Sequence, residues 1–333
     1  MPALLFGPRL GRLSQAVFLA LAVAVVAPTS MADNVATYPS RPIRLIIPNT
    51  AGGTSDILAR LIGDKLEDAL GQPIIVESRP GAAGRIALEY TAKAAPDGYT
   101  LFLGNNGTNA IVQSTQPGAA DVTTLVPVIK LASLAIVVVA NPKLGVDSLS
   151  ELIERARRDP GGIAYASGAI GSTSHLAAAL LGKRAGIRML QIPYAGTAAA
   201  VKDVLAGEVP VLFTHLATVA TLVRAGRLHA LAVSGPERAA AFPDVPTIAE
   251  SGFPDFDVVT WHGMLLPPGT PTDIVQRLHR ELARIIATPE FRERLAGLGM
   301  VPLGGTAEAF AADIRADRKR WATVLRDAGV SAR

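Results

Sequence analysis

Short apolar runs rich in β-branched residues alternate with helical patterns along most of this 333-residue chain, and that alternation narrows the fold more than any other feature. IRLIIP (43–48), PIIVES (73–78), YTLFLG (99–104), AIVVVA (135–140), IAYAS (163–167), MLQIPY (189–194), VPVLF (209–213) and LHALAVS (228–234) read as strands. Between most of them, apolar residues recur at helical spacing over 56–70, 150–157, 174–181, 198–205 and 215–224. Continuous apolar strands separated by helices predict an α/β fold with a largely parallel sheet covered on its faces. In the first helix, Ile57, Leu58, Leu61, Ile62, Leu66, Ala69 and Leu70 share one side. Thr54 or Ser55 is placed to cap its start, and Gly71 to end it in the left-handed conformation. After VVTWHGMLLPPGTP (258–271) the pattern turns mainly helical, over 272–287, 289–298 and 307–328. This length suits two domains. The crossings between them are expected inside extended strands near 135–140 and 258–263.

The first residues carry a different signal. Arg9 and Arg12 precede the apolar run AVFLALAVAVVA (16–27), and Ser30-Met31-Ala32 follows with small residues where a signal peptidase inspects the chain. A secretory leader over 1–32 and a mature start at Asp33 are therefore expected. The apolar run is too short to span a bilayer as a helix, which takes about 20 residues. A soluble periplasmic protein, without membrane insertion after leader removal, is the expectation. The absence of cysteine excludes disulfides, thiolate metal sites and a lipid-bearing cysteine. Removing the leader takes two arginines and no acid from a net charge of +4, which leaves too mild a balance to imply nucleic acid.

One phrase occurs twice. AGGTSDILAR (51–60) and IGSTSHLAAA (170–179) both stand where a strand ends and a helix begins. There the first helical N–H groups lack internal partners, the helix dipole adds partial positive charge, and glycine admits a ligand close to the backbone. The copies align as Gly52-Gly53-Thr54-Ser55-Asp56 and Gly171-Ser172-Thr173-Ser174-His175. Their hydroxyls can donate to an anion or cap their own helices, and spacing alone leaves both roles open. Three more corners share this grammar: Gly104-Asn105-Asn106-Gly107-Thr108, Ala195-Gly196-Thr197 and Thr214-His215. Ligands of α/β sheets gather at the carboxyl ends of strands, so these corners should converge at the mouth of each domain.

Other chemistries lack their motifs. The Gly52 corner has no P-loop lysine, no GxGxxG occurs, and PGAAGR (80–85) has the wrong glycine spacing for a dinucleotide. GxSxG and HExxH are also absent, and the five histidines show no metal-ligand spacing, so neither cofactor nor metal is expected. A Ser/His pairing in the cleft, such as Ser172 with His215, stays open as a hydrolase alternative. Arg60, Arg79 and Arg85 are expected in structural ion pairs rather than on a ligand. Trp261 fits a pocket wall or an interdomain core equally.

The run PNTAGGTSDILARLIGDKLEDALGQPIIVESRPGAAGRIALEYTAKAAPDGYTLFLG (48–104) resembles the extracytoplasmic solute receptors of tripartite tricarboxylate transporters, the Bug family. So do YASGAIGSTSHLAA (165–178), IPYAGTAAAVKDVLAGEV (192–209), RAGRLHALAV (224–233), FPDVPTIAESGFP (242–254) and WHGMLLPPGTP (261–271). The combination of GGxxDxxAR, RPGAxG and PDGYTL is specific, and the similarity spans nearly all of the chain after the leader. The resemblance implies a two-lobed periplasmic binding protein of the type II, Venus-flytrap kind, with a mostly parallel sheet in each lobe. Lobe 1 would comprise 33–136 and 260–333, and lobe 2 would comprise 137–259. A carboxylate would be held largely by backbone amides between a first loop, Asn49 to Asp56 with Ala51, Gly52, Gly53, Thr54 and Ser55, and a second, Ser167 to His175. Asn105, Thr197, Thr214 and His215 complete the expected ligand-binding set.

Family members often carry Phe at position 49, Lys at 195 and Asp at 214, where this chain has Asn49, Ala195 and Thr214. The stretch 113–128 is shorter than usual and lacks a tyrosine-rich turn. Without an acid at 214 an ammonium group has no partner, which favours a plain organic carboxylate: a di- or tricarboxylate, or an aromatic one. The expected partners are that carboxylate and the membrane subunits of a transporter, with no enzymatic activity. A secreted serine hydrolase using Ser172 or Ser174, and a receptor repurposed for sensing, are the alternatives.

Overall fold

In the run IRLII every residue but Arg44 is buried, and it forms β1 (Ile43–Ile47) at the heart of a parallel block. The computed structural model describes residues 38–112, 124–327 and 329; the expected leader and residues 113–123 lie outside them. On either side of β1 run β2 (Ile74–Ser78) and β3 (Thr100–Asn105), both parallel to it. Helix α1 (Thr54–Leu70) links β1 to β2, and α2 (Arg85–Ala92) lies between β2 and β3. Gly71 ends α1 at φ 69°, as its sequence position predicts.

A second parallel block repeats this plan. Helix α3 (Leu149–Arg158), capped by the Ser148 hydroxyl accepting from Glu151 N–H, leads to β5 (Ala164–Ser167). Strands β6 (Leu190–Pro193) and β7 (Val211–His215) flank β5 in parallel. The connections are α4 (Thr173–Ala185) and α5 (Thr197–Ala206), and α6 (Leu216–Arg224) follows β7.

Two long strands join the blocks. Strand β4 (Val126–Ala140) pairs antiparallel with β9 (Val259–Leu266) from Val126 to Ala135, then with β7 from Ile136 to Ala140. Strand β9 in turn pairs antiparallel with β3. The result is one sheet in the order β2-β1-β3-β9-β4-β7-β5-β6. Two short strands, β8 (His229–Val233) and β10 (Met300–Pro302), add to β4. Thus the strand expected at 135–140 begins nine residues earlier, because its amphipathic first half pairs with β9 rather than lying in a loop.

Packing follows the period of two. Val138, Val211 and Phe213 belong to a cluster completed by α4 and by Trp321 and Leu325 of α9 (Ala307–Asp327). Val137, Val139 and Leu212 face the opposite cluster with Leu216 and Val219 of α6. Two further helices, α7 (Thr272–Ala287) and α8 (Pro289–Gly297), precede β10. Trp261 takes the core role: it stacks edge-on to Phe310 at 5.1 Å and donates its indole N–H to Asp317.

Candidate functional site

The carboxyl ends of β1, β3, β5, β6 and β7 open onto one shared cavity of about 420 Å³. From the first block come Pro48 to Thr50, Gly53 to Ser55, the loop Pro80 to Gly84, Asn105, Gly107 and Thr108. The second block supplies Ser167 to Ala169, Gly171 to Ser174, Tyr194 to Thr197, Thr214 and His215, while β9 adds Thr260 and His262. All five sequence corners therefore meet in a single space. Among the described residues, none that lines it is Lys, Arg, Asp or Glu.

The helix starts supply polarity instead. Gly53 and Gly196 are the N-caps of α1 and α5, and neither helix has a side-chain cap. The expected capping by Thr54 or Ser55 does not occur, because the helix starts at Thr54 itself and both residues already lie inside its first turn. Among the described residues Thr54 Oγ1 is buried without a partner, and Ser55 Oγ donates to Asn49 Oδ1 at 2.9 Å. In the second loop Ser172 is the N-cap, accepting from His175 N–H, and Ser174 Oγ accepts from Gly168 N–H at 3.0 Å. Orphan first-turn amides of three helices consequently belong to residues around the cavity.

Four of the expected contacts stand elsewhere. Ala51 and Gly52 are exposed, Asp56 and His175 are buried, and none of the four lines the cavity. Asp56 accepts from Gly52 N–H at 2.9 Å and from Arg60 at 3.0 Å; His175 Nδ1 accepts from Gly171 N–H at 3.1 Å. Burial raises the Asp56 pKa, but the bonds from Arg60 and Gly52 outweigh it and hold the carboxyl below its ordinary value. The remaining expected residues, Asn49, Gly53, Thr54, Ser55, Asn105, Ser167, Gly171, Ser172, Thr173, Ser174, Thr197, Thr214 and His215, all line the cavity.

The Ser172 and His215 pairing is absent. Ser172 Oγ lies 3.2 Å from Ser174 Oγ, whereas His215 Nε2 meets Thr260 Oγ1 at 2.9 Å. A different contact, Ser55 Oγ to His262 Nε2 at 3.1 Å, does exist. It makes a poor nucleophile and base pair: burial, with His215 close by, pushes the His262 pKa down to about 3, and its Nδ1 has no acid to orient it. His215 keeps some open surface at the cavity wall, yet burial still lowers its pKa to about 4. The two rings stand edge to face with centroids 6.4 Å apart.

Arg60, Arg79 and Arg85 are held in ion pairs with Asp56, Glu77 and Glu89, at 3.0, 2.5 and 2.7 Å. Among the described residues, no cluster of three metal-ligating side chains occurs, and no helix is long and apolar enough to cross a membrane.

The sequence family described as the tripartite tricarboxylate transporter family receptor matches residues 58–330. Protein BugT of Bordetella pertussis (strain Tohama I) is 37% identical over 321 residues, spanning 96% of this chain and 98% of BugT. Among solved structures, R. palustris Rpa4515 with adipate aligns with a TM-score of 0.87 at 33% identity, covering 89% of this chain and 100% of its own. MatC (Rpa3494) from Rhodopseudomonas palustris with bound malate gives 0.80 at 29% identity, covering 86% and 100%.

Proposed function

The chain belongs to the tripartite tricarboxylate transporter receptor family, as a relative of the Bug proteins, and from that premise we propose that it is a periplasmic receptor which closes on a small organic carboxylate. The ligand sits in the shared cavity and is presented to the membrane subunits of a tripartite transporter. One observation carries this reading: first-turn amides from both blocks surround a cavity that, among the described residues, no acidic side chain lines. In a poorly solvated space such amides stabilise an anion without a counter-charge. The boundary between lobes falls within β4, where its pairing passes from β9 to β7, and again at the start of β9. Adipate and malate, bound by structural relatives, set the scale of the ligand as a compact dicarboxylate. Export to the periplasm rests on the expected leader.

A ligand that binds only the folded protein stabilises it by roughly 2.7 kcal/mol at a hundredfold excess over its dissociation constant. A thermal-shift screen of mono-, di- and tricarboxylates should give at least one strong rise in melting temperature, with sugars and simple amines inert. Stabilisation by sugars or nucleotides alone would end the carboxylate reading.

A further inference from the structure

The two copies of the repeated phrase share a contact that lies behind the cavity rather than in it. In each, the leading glycine has positive φ, 77° at Gly52 and 81° at Gly171. In each, that glycine donates its N–H to a side chain four residues on, Asp56 at 2.9 Å and His175 at 3.1 Å. Side chains in a helix tilt toward its N-terminus, so a residue in the first turn reaches back to the loop that precedes it. Asp56 and His175 are 7% and 8% exposed, and neither lines the cavity.

We propose that Asp56 and His175 are matched positioning residues, each pinning the left-handed glycine of its anion loop so that the following first-turn amides stay aimed at the ligand. The copies differ in charge. Asp56 is a carboxylate neutralised by Arg60, one turn further on. At the equivalent place after His175 stands Ala179, which carries no charge. The second peg must therefore be neutral, and an imidazole accepting through Nδ1 with its proton on Nε2 meets that need. Burial lowers the His175 pKa and keeps this form in place at neutral pH. Neither peg then sets an uncompensated negative charge beneath a loop that holds an anion.

Only the ligand half of the test rests on the receptor reading. Amide hydrogen exchange on the full ligand-free chain should show Gly52 and Gly171 protected. Asp56→Ala should remove protection at Gly52 alone, and His175→Ala at Gly171 alone, each with about a tenfold loss in adipate affinity, the size of one hydrogen bond. His175→Asn should restore both protection and affinity, since an Asp-length side chain already spans this distance in the first copy. His175→Asp should restore protection yet keep adipate weak, a split that a merely structural role would not produce. Adipate and malate failing to bind a wild-type protein with this protection pattern would count against the ligand assignment while supporting the pegs. Unprotected glycines in the wild type, or adipate affinity unchanged in the alanine variants, would overturn the proposal.

Discussion

Gly196→Val is expected to weaken carboxylate binding ten- to a hundredfold while leaving the fold intact. Gly196 has φ −151°, extended backbone that any residue adopts, so the effect is steric and not conformational. A Cβ there would stand 2.4 Å from Thr50 Oγ1 and 3.3 Å from Thr50 Cβ. Thr50 follows β1 and Gly196 follows β6, so this contact joins the two blocks directly across the cavity. Overpacking such a contact costs about 1–3 kcal/mol, and a receptor that closes on its ligand, as proposed, escapes that cost in its open, unliganded form. The penalty thus falls on the closed, liganded form. Calorimetric titration with whichever carboxylate stabilises the protein best measures it. Thr50→Gly placed in the Gly196→Ala background should recover affinity, because it removes the hydroxyl and methyl that the new Cβ would strike. Wild-type affinity in Gly196→Val would show that the two blocks do not need to meet there.

Acid should unfold this protein earlier than its carboxylates alone would require. His215 and His262 have folded pKa values near 4 and 3, far below the value of about 6.5 in an unfolded chain. As pH falls below 6.5 the unfolded state takes up protons that the folded state refuses, so stability present at neutral pH is lost steadily down to the folded pKa values. Between pH 7 and 5 the loss should be about 2 kcal/mol for each ring, and about 4 kcal/mol for the pair. Urea denaturation at the two pH values measures it. In the double variant His215→Asn, His262→Gln the difference should shrink to what His175 and the other groups contribute. An equal loss in wild type and double variant would mean that the two rings are not neutral and enclosed in the native protein.

Much of the architecture is local in origin, and for that reason legible in the sequence. The strand runs are apolar because both faces are covered, and the Gly, Ser and Thr corners mark the ends of β1, β3, β5, β6 and β7 at the cavity, while the loop Pro80 to Gly84 after β2 reaches it without having been expected there. Thr260 and His262 lacked such a mark. They come from β9, far along the chain from Ser55, and WHGMLL reads as core. The available signal was two polar residues two apart in an otherwise apolar strand, which places them on one face. Asp56 and His175 were expected on the ligand by position alone. Their place behind the loops depends on the backward tilt of helical side chains, which a linear motif does not display. The contact of Thr50 with Gly196 belongs to tertiary structure only; nothing near either residue in the sequence announces the other.

The claim that one anion is shared by two loops can be read directly from backbone amides. Isotope-labelled protein, titrated with the carboxylate that stabilises it best, should show the amide signals of Gly53, Thr54, Thr173 and Ser174 moving together. All four should saturate on a single isotherm at one ligand per chain. Movement confined to one loop, or two loops saturating at different ligand concentrations, would contradict a ligand held between them.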